Sequence, residues 1–396
     1  PELNVYLYRE GDRDLNTLTL GSSDVVLISY GLLLREAARF SKIFWNIVVM
    51  DEAQNLKNAR SQTSLAIQSL SRRWALALSG TPIENNLAEL WSLFRVISPG
   101  VFSSWDRFKK SYLYPIEKGD SEKARERLKA KIKPYILRRL KKDYLTELPE
   151  KTVVNLEVRM SPNEWALYDG VRKEAVSKLA KIDAEKEEAE NAGEKAENVS
   201  FQVLSMLLKL RQASCHPMLL KEDWEHGSSK MDKFFEQLEL VLSRGSRVLV
   251  FSQFTSFLRI VENELKRRSI GSFYLDGQTP GMQRAELVER FQEGESSVFL
   301  ISLKAGGTGL TLTSADVVFH LDPWWNPAVE DQATDRVYRM GQKKPVTIYR
   351  FVVADTVEEK IYKIHSKKRD LSSSVLSGGD DVGGLGVAEL KDLILS

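Results

Sequence analysis

Cysteine is nearly absent from this chain: of 396 residues, one is cysteine, Cys215. A single thiol cannot form an intramolecular disulfide, which agrees with a reducing compartment. His216 stands beside it, but two ligands without a second Cys/His pair make a poor metal site, so both are read as packing residues and no structural zinc is expected. Long apolar runs are missing too. None approaches the roughly 18 residues that a membrane helix needs, and the opening PELNVYLYREGDRD is too polar for a signal peptide. The expectation is an intracellular protein with no membrane partner: cytoplasmic and nucleoid-associated in a prokaryote, nuclear in a eukaryote. Charge of one sign is also lacking, since the formal net charge is +2. Whole-chain electrostatics therefore do not announce a nucleic-acid binder. Finally, no GxxxxGK[ST] phosphate loop occurs anywhere in the chain.

What is present is apolar enough, at 42% hydrophobic residues, to bury two or three separate cores in a chain of this length. Short apolar runs read as buried strands at Asn4 to Tyr8, Asp24 to Tyr30, Trp45 to Met50 and Trp74 to Leu78. A second series follows at Arg247 to Ser252, Ser272 to Leu275, Val298 to Ser302, Val317 to Leu321 and Val346 to Val353. Between them lie segments of helical spacing, such as Phe257 to Arg268 and Pro280 to Gln292. Strand alternating with helix predicts α/β regions built on parallel sheets covered on both faces. Residues 1–98 and 228–370 are read as two such regions. The stretch 99–227 is mostly helical in pattern. It holds ten Lys or Arg against one acid between Lys123 and Lys142, and seven acids against two lysines between Asp183 and Glu197. The basic density suits phosphates, with Lys131, Arg138, Arg139 and Lys141 as candidates, while the acidic stretch is expected to be solvated and mobile. Residues 371–396 read as a glycine-rich linker and a short amphipathic helix, Val387 to Leu395.

Chemistry-bearing residues sit where strands end. The run Trp45 to Met50 leads directly into Asp51-Glu52-Ala53-Gln54, and in open parallel sheets ligands bind beyond the carboxyl ends of the strands. Adjacent carboxylates fit magnesium nucleotide chemistry: an Asp to hold the ion, a Glu to orient water. A turn that merely contains acids is the plain alternative. Ser79-Gly80-Thr81-Pro82 follows the next strand and lets backbone approach backbone. Leu303-Lys304-Ala305-Gly306-Gly307-Thr308-Gly309 offers amides and a hydroxyl to phosphate oxygens. Asp322-Pro323-Trp324-Trp325 places two indoles at a strand end, where a ring could stack on a base or lie along a DNA backbone, with core packing of at least one ring the commoner outcome. In QATDRVYRMGQ, a helix would bring Gln332, Arg336 and Arg339 to one face at i, i+4 and i+7. Two guanidinium forks aimed together suit a polyphosphate, and arginine serves as a finger in phosphoryl transfer. The alternative is a solvated face with Asp335 paired internally.

The ordered series VVMDEAQ, LSGTP, VLVFSQF, YLDGQT, LKAGGTGLTLTSAD, DPWWNP and QATDRVYRMGQ resembles the Swi/Snf-type ATPases of helicase superfamily two. The likeness covers essentially the whole chain. It continues through ILRRLKKDYLTELPEK (Ile136 to Lys151) and LRQASCHP (Leu210 to Pro217), blocks that set this family apart from other two-lobed helicases. DEAQ followed by NLKN looks more like the bacterial or archaeal branch. The resemblance implies two RecA-like lobes, ATP and magnesium, helical protrusions that grip double-stranded DNA, and translocation that remodels a DNA-bound protein target. By motif it implies that Asp51 coordinates magnesium and Glu52 positions water. Arg336 and Arg339 would be fingers with Gln332 beside them, and Gly307 and Gly309 would approach the nucleotide. Ser79, Gly80 and Thr81 would couple hydrolysis to DNA, and Gln253, Gly277, Thr279, Ser302, Lys304, Thr308 and Trp325 would line the DNA side with Arg138 and Arg139. One departure stands out: the family's phosphate loop has no counterpart. The chain is therefore expected to be the C-terminal part of a longer ATPase, inactive without the upstream segment. A non-hydrolysing DNA- or protein-binding module is the competing class, and an RNA helicase of the same superfamily is disfavoured by the two family-specific blocks.

Overall fold

The computed structural model describes residues 2–9, 20–56, 58–80, 87–117, 119, 121–139, 141–192, 199–306, 309–364 and 387–395. Thr81, Gly307, Thr308 and the glycines of the tail segment lie outside them, as do residues 193–198 of the acidic stretch. Two compact units divide the described chain, the first within residues 1–136 and the second within 137–370 together with the C-terminal helix.

The second unit is built on six parallel strands in the order β5-β10-β9-β6-β8-β7. They are β5 (Lys151–Val158), β6 (Val248–Ser252), β7 (Ser272–Leu275), β8 (Val298–Ser302), β9 (Val317–His320) and β10 (Val346–Val353). Every residue of β6, β8 and β9 is buried. Alternation divides them between two cores. Val248, Val250, Val298, Leu300, Val317 and Phe319 face one cluster with Phe234, Leu238, Leu258 and Val261. Leu249, Phe251, Phe299, Ile301 and Val318 face another with Phe291, Leu312 and Ala333. Helices Ser229–Ser243 and Thr255–Arg267 supply the first cover, and Gly281–Glu293 and Pro327–Thr334 the second. Continuous hydrophobic strands are what a sheet covered on both faces requires.

Strand β5 lies within the stretch 99–227, whose pattern did not disclose it. Thr152 to Val158 alternates Val154, Leu156 and Val158 inward with exposed residues between, and the strand runs parallel to all of β10 at the sheet edge. Edge position gives it one buried face, so it shows alternation where the inner strands show an apolar run. The rest of that stretch contributes helices Pro162–Ala192 and Val199–Cys215, which pack together through Leu179, Val203, Leu207 and Leu210. The helix Val387–Leu395 closes that core with Leu390, Leu393 and Ile394.

The first unit holds two separate parallel pairs, β1 (Asn4–Leu7) with β2 (Asp24–Leu27) and β3 (Trp45–Met50) with β4 (Arg72–Ala77). Both lay one face on a shared core that includes Tyr8, Leu32, Phe40, Met50 and Ile67, with Val26, Val48 and Ala75 packed against it. The other face is open: Val5, Leu7, Ile47, Val49, Trp74 and Leu76 are each at least half exposed. A second cluster joins helix Leu87–Ile97 to Glu122–Ile132 through Phe94, Phe102, Phe108 and Leu128.

Candidate functional site

In the first unit, Asp51 and Glu52 follow β3 directly. Glu52 adopts φ 48°, an uncommon left-handed conformation for a non-glycine residue that turns the chain sharply at the strand end. The turn is fixed by short bonds. The Glu52 amide donates to Asp51 Oδ1 at 2.9 Å, the Ala53 amide to the Leu78 carbonyl at 2.9 Å, and the Tyr30 hydroxyl to the Asp51 carbonyl at 2.7 Å. Burial pushes Tyr30 up to about 12, and the charges of Asp51 and Glu52 add to the effect. Gln54 then bridges two motifs. Its Nε2 donates to Glu52 Oε2 at 2.6 Å and its Oε1 accepts from Ser79 Oγ at 2.8 Å. Sequence reasoning quoted Gln54 without assigning it a role; only folding reveals that one amide spans the acidic turn and the Ser79-Gly80 turn.

In the second unit, four neighbouring strands deliver their turns to the same edge of the sheet. Gln253 follows β6, Asp276 to Thr279 follow β7, Ser302 ends β8, and Asp322 to Trp325 follow β9. Parallel pairing places Ser252 opposite Ser302 and Phe251 opposite His320, so these are all carboxyl ends. Gln253, Gly277, Thr279, Ser302, Lys304 and Trp325 are thus brought to one rim. Lys304 and Gly277 are exposed, Trp325 and Gln253 half-buried, and Ser302 buried, where its hydroxyl accepts from the Ala305 amide at 3.4 Å. Asp276 orders its own turn by accepting from the Gln278 amide at 2.9 Å. Burial raises Asp322 to about 6, although Arg211, Ser252 and Lys230 pull it down.

The predicted helix through Gln332, Arg336 and Arg339 stops early. The helix is Pro327–Thr334, capped at its start by the Asn326 side chain, which accepts from the Ala328 amide at 3.0 Å. Arg336 and Arg339 lie in the tight turns beyond it. Arg336 O, which a longer helix would use, accepts from the Leu312 amide at 3.0 Å, and Val337 O accepts from Gln342 Nε2 at 3.4 Å, a side chain that also donates to Ala315 O at 2.7 Å. Gly341, at φ 98°, reverses the chain. Arg339 Nη1 donates to Thr311 Oγ1 at 2.9 Å, on the segment after the glycine loop. Asp335 is paired with Lys141 at 2.8 Å, a partner from outside its own helix face. Lys141 also donates to Tyr338 O at 3.2 Å, so it braces the arginine turn from an exposed position. Within the basic stretch Arg125 is buried against Glu122, whereas Lys131, Arg138 and Arg139 are exposed.

The family-specific block Leu210 to Pro217 proves to be interior. Cys215 is fully buried against Glu358, and His216 Nδ1 accepts from the Met218 amide at 3.1 Å.

A parallel α/β unit with its polar turns gathered at the strand carboxyl ends, following a unit with an acidic strand end, has the architecture of the helicase-like ATPases. The chain belongs to the SNF2 family: it matches the SNF2-related domain over residues 1–219 and the helicase conserved C-terminal domain over residues 229–341. It is similar to YwqA of Bacillus subtilis, 36% identical over 408 residues, covering 99% of this chain and 42% of that protein. It is also similar to the SWI/SNF-related matrix-associated actin-dependent regulator of chromatin subfamily A member 1 of Mus musculus, 35% identical over 96% of this chain and 37% of that protein. The chain therefore spans less than half the length of these relatives. The solved Sulfolobus solfataricus SWI2/SNF2 ATPase core in complex with dsDNA is 34% identical, with a TM-score of 0.50, covering 99% of this chain and 81% of that one.

Proposed function

We propose that the chain is part of an ATP-driven translocase on double-stranded DNA that remodels DNA-bound protein. The observation that carries this is the likeness, over 99% of the chain, to an ATPase core solved with dsDNA. In this reading Asp51 holds magnesium. The ion takes one or two carboxylates with phosphate oxygens and waters, and an exposed aspartate at a strand's carboxyl end fits that donor set. When bound, magnesium would offset phosphate charge. Glu52, held by Gln54, orients the attacking water, and the Gln54 bond to Ser79 ties that carboxylate to the coupling turn of Ser79, Gly80 and Thr81. Arg336 and Arg339 meet the charge that develops on the transferred phosphoryl group, with Gln332 nearby. The rim of Gln253, Gly277, Thr279, Ser302, Lys304 and Trp325, with Thr308, Arg138 and Arg139, tracks the DNA backbone without reading bases.

Supporting an incomplete nucleotide site is the open face of β1, β3 and β4. Parallel strands occur almost only with both faces covered, so we assign the missing phosphate loop to the polypeptide that covers Ile47, Val49, Trp74 and Leu76. The absent loop also favours the second reading, a binding module without hydrolysis. Measuring ATP turnover with and without duplex DNA separates them. The 396-residue chain is expected to be inactive, and a longer form carrying the phosphate loop to hydrolyse ATP with DNA stimulation. Turnover by the chain alone would overturn the incomplete-site reading. A longer form that binds duplex yet never hydrolyses would establish the module instead.

A further inference from the structure

The turn after β9 is held by buried charges out of proportion to its size. Three backbone groups within four residues are gripped. Leu321 O accepts from Lys230 Nζ at 2.9 Å, Pro323 O accepts from Arg211 Nη2, and the Trp324 amide donates to Glu330 Oε1 at 2.9 Å. Lys230, Arg211 and Glu330 are each at most 2% exposed. Desolvating charged groups costs several kcal/mol per ion, and apolar replacements often serve stability as well. Such charges are therefore better explained by the conformation they enforce.

Arg211 has the widest reach of the three. Its guanidinium carbon stands 4.8 Å from the Trp325 ring centre and 5.7 Å from that of Phe254. Its Nη2 lies 3.8 Å from Asp322 Oδ2. Asp322 in turn accepts from Ser252 Oγ and from the Gln253 amide at 3.3 Å. One planar fork, carried by helix Val199–Cys215, thus touches the ring of Trp325 and, through Asp322, the backbone of Gln253. Lysine could supply the charge but not the plane that stacks on the Trp325 ring.

We infer that Arg211 is a positioning residue: it locks the Asp322–Trp325 turn and the Gln253 turn to the helical hairpin, so that Trp325 and Gln253 present one preset surface to a DNA backbone. The locking stands on this geometry alone; the ligand rests on the function proposed above. The test uses the 396-residue chain with Arg211→Lys, Trp325→Ala, their combination, and Leu207→Ala as a variant that only loosens the hairpin core. Hydrogen exchange of peptides covering residues 321–329 and 252–258 reports the turns without any DNA. Anisotropy of a labelled 30-base-pair duplex reports binding. In Arg211→Lys, exchange in both peptides rises about tenfold while strand β8 is unchanged. Duplex affinity falls about fivefold, and the double variant binds no worse than Trp325→Ala. Leu207→Ala raises exchange along the hairpin and leaves the two turns protected. Unchanged exchange in the turns, or a uniform rise across the second unit, would overturn the locking role. Additive losses in the double variant would separate Arg211 from Trp325. A wild-type chain that binds no duplex would refute the DNA reading, while exchange still decides whether Arg211 locks the turns.

Discussion

Lys230 and Glu358 meet at 2.6 and 2.8 Å with both side chains essentially sealed from water. Lys230→Met would strand a buried carboxylate, so the second unit should lose about 3–5 kcal/mol in urea unfolding. Adding Glu358→Gln should restore more than half of it; a double variant no better than the single would show that the cost is packing. His216 gives a pH-dependent counterpart. Burial lowers it from 6.5 to about 4, with the Glu164 carboxylate pulling the other way. A depressed folded value means that the unfolded chain binds the extra proton between about 6.5 and 4, so this contribution is full above 6.5 and is lost as pH falls towards 4. It amounts to something on the order of 3 kcal/mol. Asp322, raised to about 6, acts oppositely, its stability present at low pH and lost as pH rises through 6. Comparing wild type with His216→Asn isolates the histidine, because asparagine keeps an acceptor for the Met218 amide. The variant should show the shallower loss of stability between pH 7 and 4.

At the scale of elements, helix Pro327–Thr334 and the turns beyond it show how local signals and tertiary partners divide the work. Asn326 and Pro327 mark the helix start as a cap followed by proline at the first position. Beyond its end the Arg336 carbonyl is taken by the distant Leu312 amide and the Val337 carbonyl by the nearby Gln342 side chain. Asn326→Ala should cost about 1 kcal/mol through the lost cap. Gly341→Ala should cost about 1–2 kcal/mol because φ 98° disfavours any Cβ. Both are read as shifts in the thermal midpoint of the second unit. In a longer, hydrolysing form, Gly341→Ala should also depress turnover more than Asn326→Ala, since it lies two residues from Arg339; equal effects would argue against a preset arginine turn.

For the molecule as a whole, the two units carry separate cores and differ in how fully their sheets are covered. The second buries both faces of its inner strands, whereas the first exposes Ile47 and Val49 by 54%, Trp74 by 64% and Leu76 by 51%. Burial of such side chains stabilises by about 1.5–3 kcal/mol each when complete, so roughly half of that is unrealised. Calorimetry should resolve two transitions, the first unit melting lower. An apolar patch of this kind also promotes association. Sedimentation of the isolated chain should show self-association that Ile47→Lys with Trp74→Lys abolishes while circular dichroism is preserved. A monomeric wild type would mean that the face is less adhesive than its exposure implies.

The inner strands β6, β8 and β9, with the acidic end of β3, were legible from residues alone, because strands buried on both faces must be continuously apolar and their ends must be polar. The gathering of chemistry at strand ends follows from the same local rules. β5 was missed because an edge strand buries one face and its alternation is weak beside flanking helices. The end of the arginine helix, the Gln54 bridge, the contacts of Lys141 and the burial of Arg211 were decided only by tertiary structure. Each involves a partner between 24 and nearly 200 residues away, and no local pattern records which distant group will satisfy a polar atom once water is excluded.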